Sequence, residues 1–467
     1  MNGLNGKSTT RNVKRKVFFH NFPLITFKIE KTFTKFTQPA YGFMGELLGN
    51  KPYKIDNYIH MKYILICFLL IQGSMLNGQS VSKPILPAAY RTEAYLPLLK
   101  GKRVGVFANH TATIGKAHLV DSLQKLGVNI TVAFGPEHGF RGTADAGEKV
   151  DNYKDPSTGI PVVSLYGKKR RPSAEDLQNV DILLFDIQDV GVRFYTFISS
   201  LQEYMEAAFE YKKPLMILDR PNPNGFYVDG PLLDTAYKSF VGMQPIPVVY
   251  GMTIGEYALM LAGEKWLSAK ANIARDQSIY FDVIKCANYT HSSLYELPVR
   301  PSPNLPDMSA IYWYASTCYF EGTILSEGRG TDHPFSIFGH PSLPKHLFAF
   351  TPTSRDGAKD PKLKDQLCYG WNVYADGKEV LKKLNNQINI DFLVEAYKQY
   401  PQKDSFFLRP KLDKPTAYFF NKLAGNEELK KQLIAGKTAA EIRASWQPGL
   451  TAFKKIRQKY LLYKDFK

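Results

Sequence analysis

The sequence predicts an α/β protein: a parallel sheet covered on both faces by helices, followed by a smaller α+β domain. Three observations carry this. Apolar runs recur at 103–108, 128–134, 162–166, 181–185, 215–218 and 246–250, the pattern of strands buried on both faces. Helix-like segments lie between most of them, at 118–126, 174–178, 198–210 and 254–262, and crossovers of that kind make neighbouring strands parallel. The composition then shifts at RPSPNLP (300–306), whose closely spaced prolines mark an extended connector between domains. The arrangement is Rossmann-like, but no GxGxxG follows the first strand, so a bound dinucleotide is not supported.

Each strand ends on polar residues, and in an open α/β sheet those ends face a common crevice. A first helix covers 92–99, and the strand 103–108 runs into Asn109, His110 and Thr111. The strand 128–134 breaks at Gly135-Pro136, and within six residues the chain presents Glu137, His138 and Arg141. Gly135, Gly139 and Gly142 let that loop turn tightly and approach a ligand. The strand 181–185 leads into Asp186, Gln188 and Asp189, then Arg193 and Tyr195. The strand 215–218 ends at Asp219, Arg220 and Asn222. Past the proline connector, FEGT (320–323) and LSEGRGT (325–331) again set acids and an arginine, Glu321, Glu327 and Arg329, among glycines. Helix patterns at 391–400, 426–435 and 438–446 fill out the C-terminal domain, which adds one wall to the crevice. Any of these charged groups could instead tie loops together as an ion-pair network, and a surface pair between Glu137 and Arg141 is the plain alternative at the first loop.

Composition sets bounds. With 467 residues, 44% hydrophobic and 22% charged, the chain is an ordinary globular protein of two or three domains. Its formal net charge of +17 is spread out, densest at Lys168-Lys169-Arg170-Arg171 and in the tail from Lys454, and no nucleic-acid module appears. An anionic substrate or surface accounts for it more economically. The four cysteines, Cys67, Cys286, Cys318 and Cys368, show no CxxC or Cys/His ligand spacing, so a structural zinc site is not expected; the sequence shows no dedicated metal cage, and no cofactor is expected. Residues 1–60 hold ten Lys or Arg against three Asp or Glu and read as a disordered upstream extension. Met61-Lys62-Tyr63, the apolar run 64–71 and small residues from Gly73 read as a signal peptide over 61–79, too short to span a bilayer. The expected mature chain is therefore periplasmic or secreted, with a Rossmann-like domain at 80–305 and an α+β domain at 306–467.

Six motifs occur in order: GPEHGFRG (135–142), DAGE (145–148), FDIQDVGVRFYT (185–196), LDRPNP (218–223), FEGT and LSEGRGT. Together they closely resemble the bacterial exo-β-N-acetylmuramidase (NamZ-type) glycoside hydrolase family over roughly 85–467. The resemblance implies release of N-acetylmuramic acid (MurNAc) from the non-reducing end of peptidoglycan fragments such as MurNAc-GlcNAc, in a cleft between the two domains. It places the catalytic acid at Glu137. The second group is Asp186, Asp189, Glu148 or Glu321, or is absent because the 2-acetamido group supplies its own nucleophile. Arg141, Arg193 and Arg329 suit the lactyl carboxylate of muramic acid, with Arg141 expected to point toward substrate. Tyr195 suits the sugar face, and His138, Glu148, Gln188, Arg220, Asn222 and Glu327 complete the expected binding set. Two other readings stay open: a non-catalytic cell-wall binding protein that uses the same arginines and aromatics, and a nucleotide-binding enzyme on the same sheet, against which the absent glycine-rich phosphate loop counts.

Overall fold

The computed structural model describes residues 83–137, 139–142, 151–277 and 279–466. The expected extension at 1–60, the signal-like segment at 61–79, His138 and Glu148 lie outside the described residues. Strands β1 (Arg103–Ala108), β2 (Thr113–Ile114), β3 (Ala117–His118), β4 (Asn129–Gly135), β5 (Tyr153–Lys154), β6 (Pro161–Ser164), β7 (Ile182–Asp186), β8 (Leu215–Leu218) and β9 (Phe281–Ile284) occupy the N-terminal part. Seven of them form one sheet in the order β5-β6-β4-β1-β7-β8-β9. Every neighbouring pair is parallel except β5 with β6 at the edge.

The apolar runs explain the burial. Along β7, Ile182 and Leu184 join one core cluster while Leu183 and Phe185 join the other, because successive side chains leave a strand on opposite faces. Helices α1 (Thr92–Leu99) and α2 (Leu119–Lys125) cover the first face, through Tyr95, Leu99, Leu119 and Leu123. Helices α3 (Phe197–Glu210), α4 (Ile254–Gly263) and α5 (Ala269–Asp276) cover the second. There Phe107 stacks on Phe185 at 4.9 Å, and Tyr204 of α3 meets the Phe107 ring edge-on at 5.1 Å. Helix α4 starts at a capping box: Thr253 accepts from the Glu256 amide at 3.2 Å, and Glu256 accepts from the Thr253 amide at 2.9 Å.

The smaller C-terminal part begins with α6 (Met308–Thr317), followed by β10 (Ile337–His340), β11 (Phe348–Phe350) and β12 (Cys368–Asn372) in an antiparallel sheet of order β10-β12-β11. Helices α7 (Gly377–Leu384), α8 (Asp391–Gln399), α9 (Phe419–Ala424), α10 (Glu428–Ile434) and α11 (Ala439–Arg457) complete it. It packs onto the sheet-bearing part as one compact unit from Lys83 onward. Arg443 on α11 pairs with the buried Asp229 at 2.8 Å, and Arg457 donates to the Gly251 carbonyl at 2.8 Å.

Four expectations change. Residues 246–250 form no strand, because Pro247 lacks an amide for the ladder, and only Val249 makes isolated bridges, to Val192 and Asp229. Residues 174–178 form turns in place of a helix, held by Asp176 accepting from the Ser173 amide and hydroxyl. The pattern at 438–446 opens a helix that runs on through Pro448 to Arg457. The segment 300–306 is mostly buried and lines the crevice, so its prolines stiffen a wall. Cys286, Cys318 and Cys368 are all free and buried. Among the described residues no helix is long and apolar enough to cross a membrane.

Candidate active site

The crevice opens at the C-terminal ends of β4, β6 and β7, where the sheet-bearing part meets the C-terminal part. Its volume is about 320 Å³, of the scale that takes a small ligand. Glu137, Tyr195, Glu321 and Arg329 all line it.

Glu137 is placed by the break after β4. Gly139 closes a tight turn by donating its amide to the Pro136 carbonyl at 3.0 Å. Gly142, at φ +74°, lies against His110, and an added Cβ would come within 2.4 Å of that ring. His110 in turn bonds the Arg300 carbonyl through Nε2 at 2.9 Å, which ties the β1 loop to the proline-rich wall. The half-buried Glu137 carboxylate accepts from the Tyr166 hydroxyl at 3.1 Å. Burial and the Glu137 charge together push the Tyr166 phenol up to about 12, so it acts as a donor.

Tyr195 is buried, donates to the Pro301 carbonyl at 2.8 Å and meets Phe197 edge-on at 4.7 Å. Across the crevice, Arg329 bridges two carboxylates: its Nη2 contacts Glu321, and its Nε lies 3.2 Å from Glu327. Lys362 fixes this loop from behind. Its ammonium donates to the carbonyls of Phe320 at 2.7 Å and Leu325 at 2.6 Å and pairs with Glu327 at 2.8 Å. Burial raises the Glu327 carboxyl, but Lys362 and Arg329 outweigh it and hold the group below the usual carboxylate range. Glu327 therefore orients Arg329 and lies behind the crevice wall.

Several expected site residues do other work. Arg141 does not reach the crevice: it forks onto Asp155 at 2.6 Å and Asp121 at 2.7 Å, tying the loop after β4 to the body. Arg193 is fully buried and donates to the carbonyls of Pro231, Ile246 and Leu423, so it ties three separate stretches of backbone together in the interior. Asp186 and Arg220 form a buried bidentate pair, 2.5 and 2.7 Å, beneath the strand ends. Gln188 donates to the Asp189 and Pro221 carbonyls, and Asn222 to the Met252 carbonyl. Buried backbone at the strand ends needs polar partners, and these side chains supply them.

Asp189 is buried too. It accepts from the Tyr250 hydroxyl and from the Gly191 amide at 2.7 Å, while its other oxygen makes no hydrogen bond to the protein. Burial outweighs those donors and raises its pKa to about 6. Raised above the unfolded value, this group favours the fold below about pH 4, and that contribution is lost as pH rises through about 6. Asp189→Asn is therefore expected to gain stability relative to the parent between pH 4 and 6, by on the order of 2–3 kcal/mol, and to level off above. Denaturation midpoints across that range check it, and a difference independent of pH contradicts it.

Residues that sequence reading did not single out complete the walls: Tyr166, Arg170, Phe240, Tyr314, Phe335 and Phe419. Tyr166 ends a predicted strand, so the strand-end rule that flagged Glu137 could have found it. Phe240 and Phe419 sit in no motif and come together only through the fold.

Two family models match the chain, "Exo-beta-N-acetylmuramidase NamZ, N-terminal" over residues 104–309 and "Exo-beta-N-acetylmuramidase NamZ, C-terminal" over 312–463. A curated relative, "Peptidoglycan beta-N-acetylmuramidase NamZ" of Bacillus subtilis (strain 168), is 36% identical over 412 residues, which cover 83% of this chain and 93% of the relative. Two solved structures, both DUF1343 family proteins of Bacteroides fragilis NCTC 9343, are similar over most of the chain. One has TM-score 0.72 and 45% identity over 82% of this chain and 100% of its own. The other has TM-score 0.66 and 29% identity over 81% and 99%.

Proposed function

Since the chain belongs to the exo-beta-N-acetylmuramidase NamZ family and is a glycoside hydrolase, we propose that this crevice releases MurNAc from the non-reducing end of peptidoglycan fragments, with MurNAc-GlcNAc as the minimal substrate. The observation that carries the reading is the placement of Glu137, Tyr195, Glu321 and Arg329 on one cavity between the two parts of the chain. Glycoside hydrolysis needs an acid to protonate the leaving oxygen and a group to meet the oxocarbenium-like centre. Glu137 takes the first role. Glu321 takes the second, as base, as nucleophile, or as the carboxylate that orients the substrate's acetamido group. Of the four candidates, Asp186 and Asp189 are buried away from the cavity and Glu148 lies outside the described residues, while Glu321 lines it. Tyr195 and the neighbouring aromatics supply faces for the pyranose. The family assignment favours neither a purely binding protein nor a nucleotide enzyme.

The test is substrate discrimination. Muramic acid differs from glucosamine by a lactyl ether whose carboxylate a guanidinium can fork onto. Loss of that pair is expected to cost about 2–4 kcal/mol, or tens- to several-hundredfold in kcat/KM. Comparison of the 4-nitrophenyl glycosides of MurNAc and GlcNAc reads this directly, and equal turnover of the two rules it out.

Export belongs to the same proposal. The basic start at Met61, the apolar run 64–71 and the small residues after it support a mature protein that begins near Gln79 or Ser80, in the periplasm or outside the cell. Its role there is cell-wall turnover or recycling. N-terminal sequencing of the native protein is the check, and a chain retaining 1–60 contradicts it.

A further inference from the structure

The basic run after β6 is divided by the fold. Lys169 turns back to Asp176 at 2.6 Å, and Arg171 turns back to Glu210 at 3.4 Å and Glu203 at 3.9 Å. Arg170, between them, goes the other way and lines the crevice, with its guanidinium 4.1 Å from the centre of the Phe240 ring. Its Nε donates to the Gly167 carbonyl at 3.4 Å, and among the described residues neither Nη group has a hydrogen-bond partner. It makes no ion pair with a carboxylate among the described residues.

The other arginines near the site are committed. Arg329 bridges Glu321 and Glu327, Arg141 is held by Asp121 and Asp155, and Arg193 is surrounded by carbonyls. A substrate carboxylate that enters a cavity already holding Glu137 and Glu321 needs a cation not already in direct contact with a carboxylate, and Arg170 acts on Glu203 without a direct ion pair. From this division we infer that Arg170 reads the lactyl carboxylate of muramic acid and sets the preference for MurNAc over GlcNAc. The inference rests on the proposed function above.

Three features fit that role. Stacking on Phe240 holds the guanidinium in one orientation before ligand arrives, so less side-chain entropy is lost on binding. Nη1 and Nη2, which bond no described residue, form the fork that matches a carboxylate. Arg170 also acts electrostatically on Tyr166, the residue that bonds Glu137, so it lies close to the candidate acid. The lactyl group and the scissile bond sit on one sugar ring, so an anion reader and the acid must be near neighbours.

The experiment compares the 4-nitrophenyl glycoside of MurNAc with its lactyl methyl ester, which keeps the shape and removes the charge. The parent protein is expected to favour the acid in kcat/KM by about ten- to a hundredfold. Arg170→Ala is expected to bring that ratio close to one, chiefly through KM for the acid, and Arg170→Lys to restore part of it. Arg170 is exposed, so neither change should disturb folding. An Arg170→Ala variant that keeps the parent ratio overturns the assignment. If the parent hydrolyses neither compound, the functional reading fails instead. Calorimetry with free N-acetylmuramic acid and its methyl ester then decides on Arg170 alone: a preference lost in Arg170→Ala supports it, and an unchanged preference overturns it.

Discussion

Glu137→Gln is expected to lower kcat on a MurNAc-GlcNAc disaccharide by about two to four orders of magnitude, with ligand affinity and fold nearly unchanged. The amide keeps the size of the carboxyl group and an oxygen for the Tyr166 hydroxyl, 3.1 Å away in the parent. What it cannot do is hand a proton to the departing sugar oxygen. An aryl glycoside, whose leaving group needs little protonation, should show a much smaller defect, and that contrast separates an acid from a binding residue. A near-normal disaccharide rate for Glu137→Gln would remove Glu137 from the acid role and shift attention to Glu321.

Asp186→Ala should have the largest effect on stability. Both partners of the Asp186–Arg220 pair are almost wholly buried, with side chains 0% and 2% exposed. Removing the carboxylate leaves a guanidinium in the interior with only the Thr113 carbonyl, at 3.2 Å, as a side-chain hydrogen-bond partner among the described residues. Breaking such a pair costs about 3–5 kcal/mol, since the remaining charge has lost its counter-ion without regaining water. Chemical denaturation reads this directly. A paired apolar replacement, Asp186→Leu with Arg220→Met, should recover much of the loss, because the stranded charge is then gone. An Asp186→Ala variant of parental stability but little activity would return Asp186 to the catalytic candidates.

The parallel sheet was legible because its strands are short apolar runs bounded by glycine, proline and polar residues, and burial on both faces leaves little other use for such runs. The segment 246–250 has the same composition but fails as a strand at Pro247, a local veto that hydrophobicity does not show. The small C-terminal sheet was missed because strands such as Phe348–Phe350 and Cys368–Asn372 are brief and partly exposed, without a sustained period. Proximity to a strand end pointed to Glu137 and Tyr195, and glycine-flanked acids pointed to Glu321 and Arg329, all four of which line the crevice. The same signals also picked out Asp186, Arg193, Gln188, Arg220 and Asn222, which serve buried backbone and charge. Sequence pattern alone does not separate these uses, since both put polar groups where strands stop. Arg170 lay in plain view within a basic run, and only the opposite turns of Lys169 and Arg171 distinguish it.

The most direct measurement is mass analysis of products after the protein is incubated with MurNAc-GlcNAc and, separately, with GlcNAc-MurNAc. Release of free MurNAc and GlcNAc from the first disaccharide, with the second left intact, is the predicted result. An intact first disaccharide, or cleavage of both at similar rates, would contradict a crevice built to remove MurNAc from the non-reducing end.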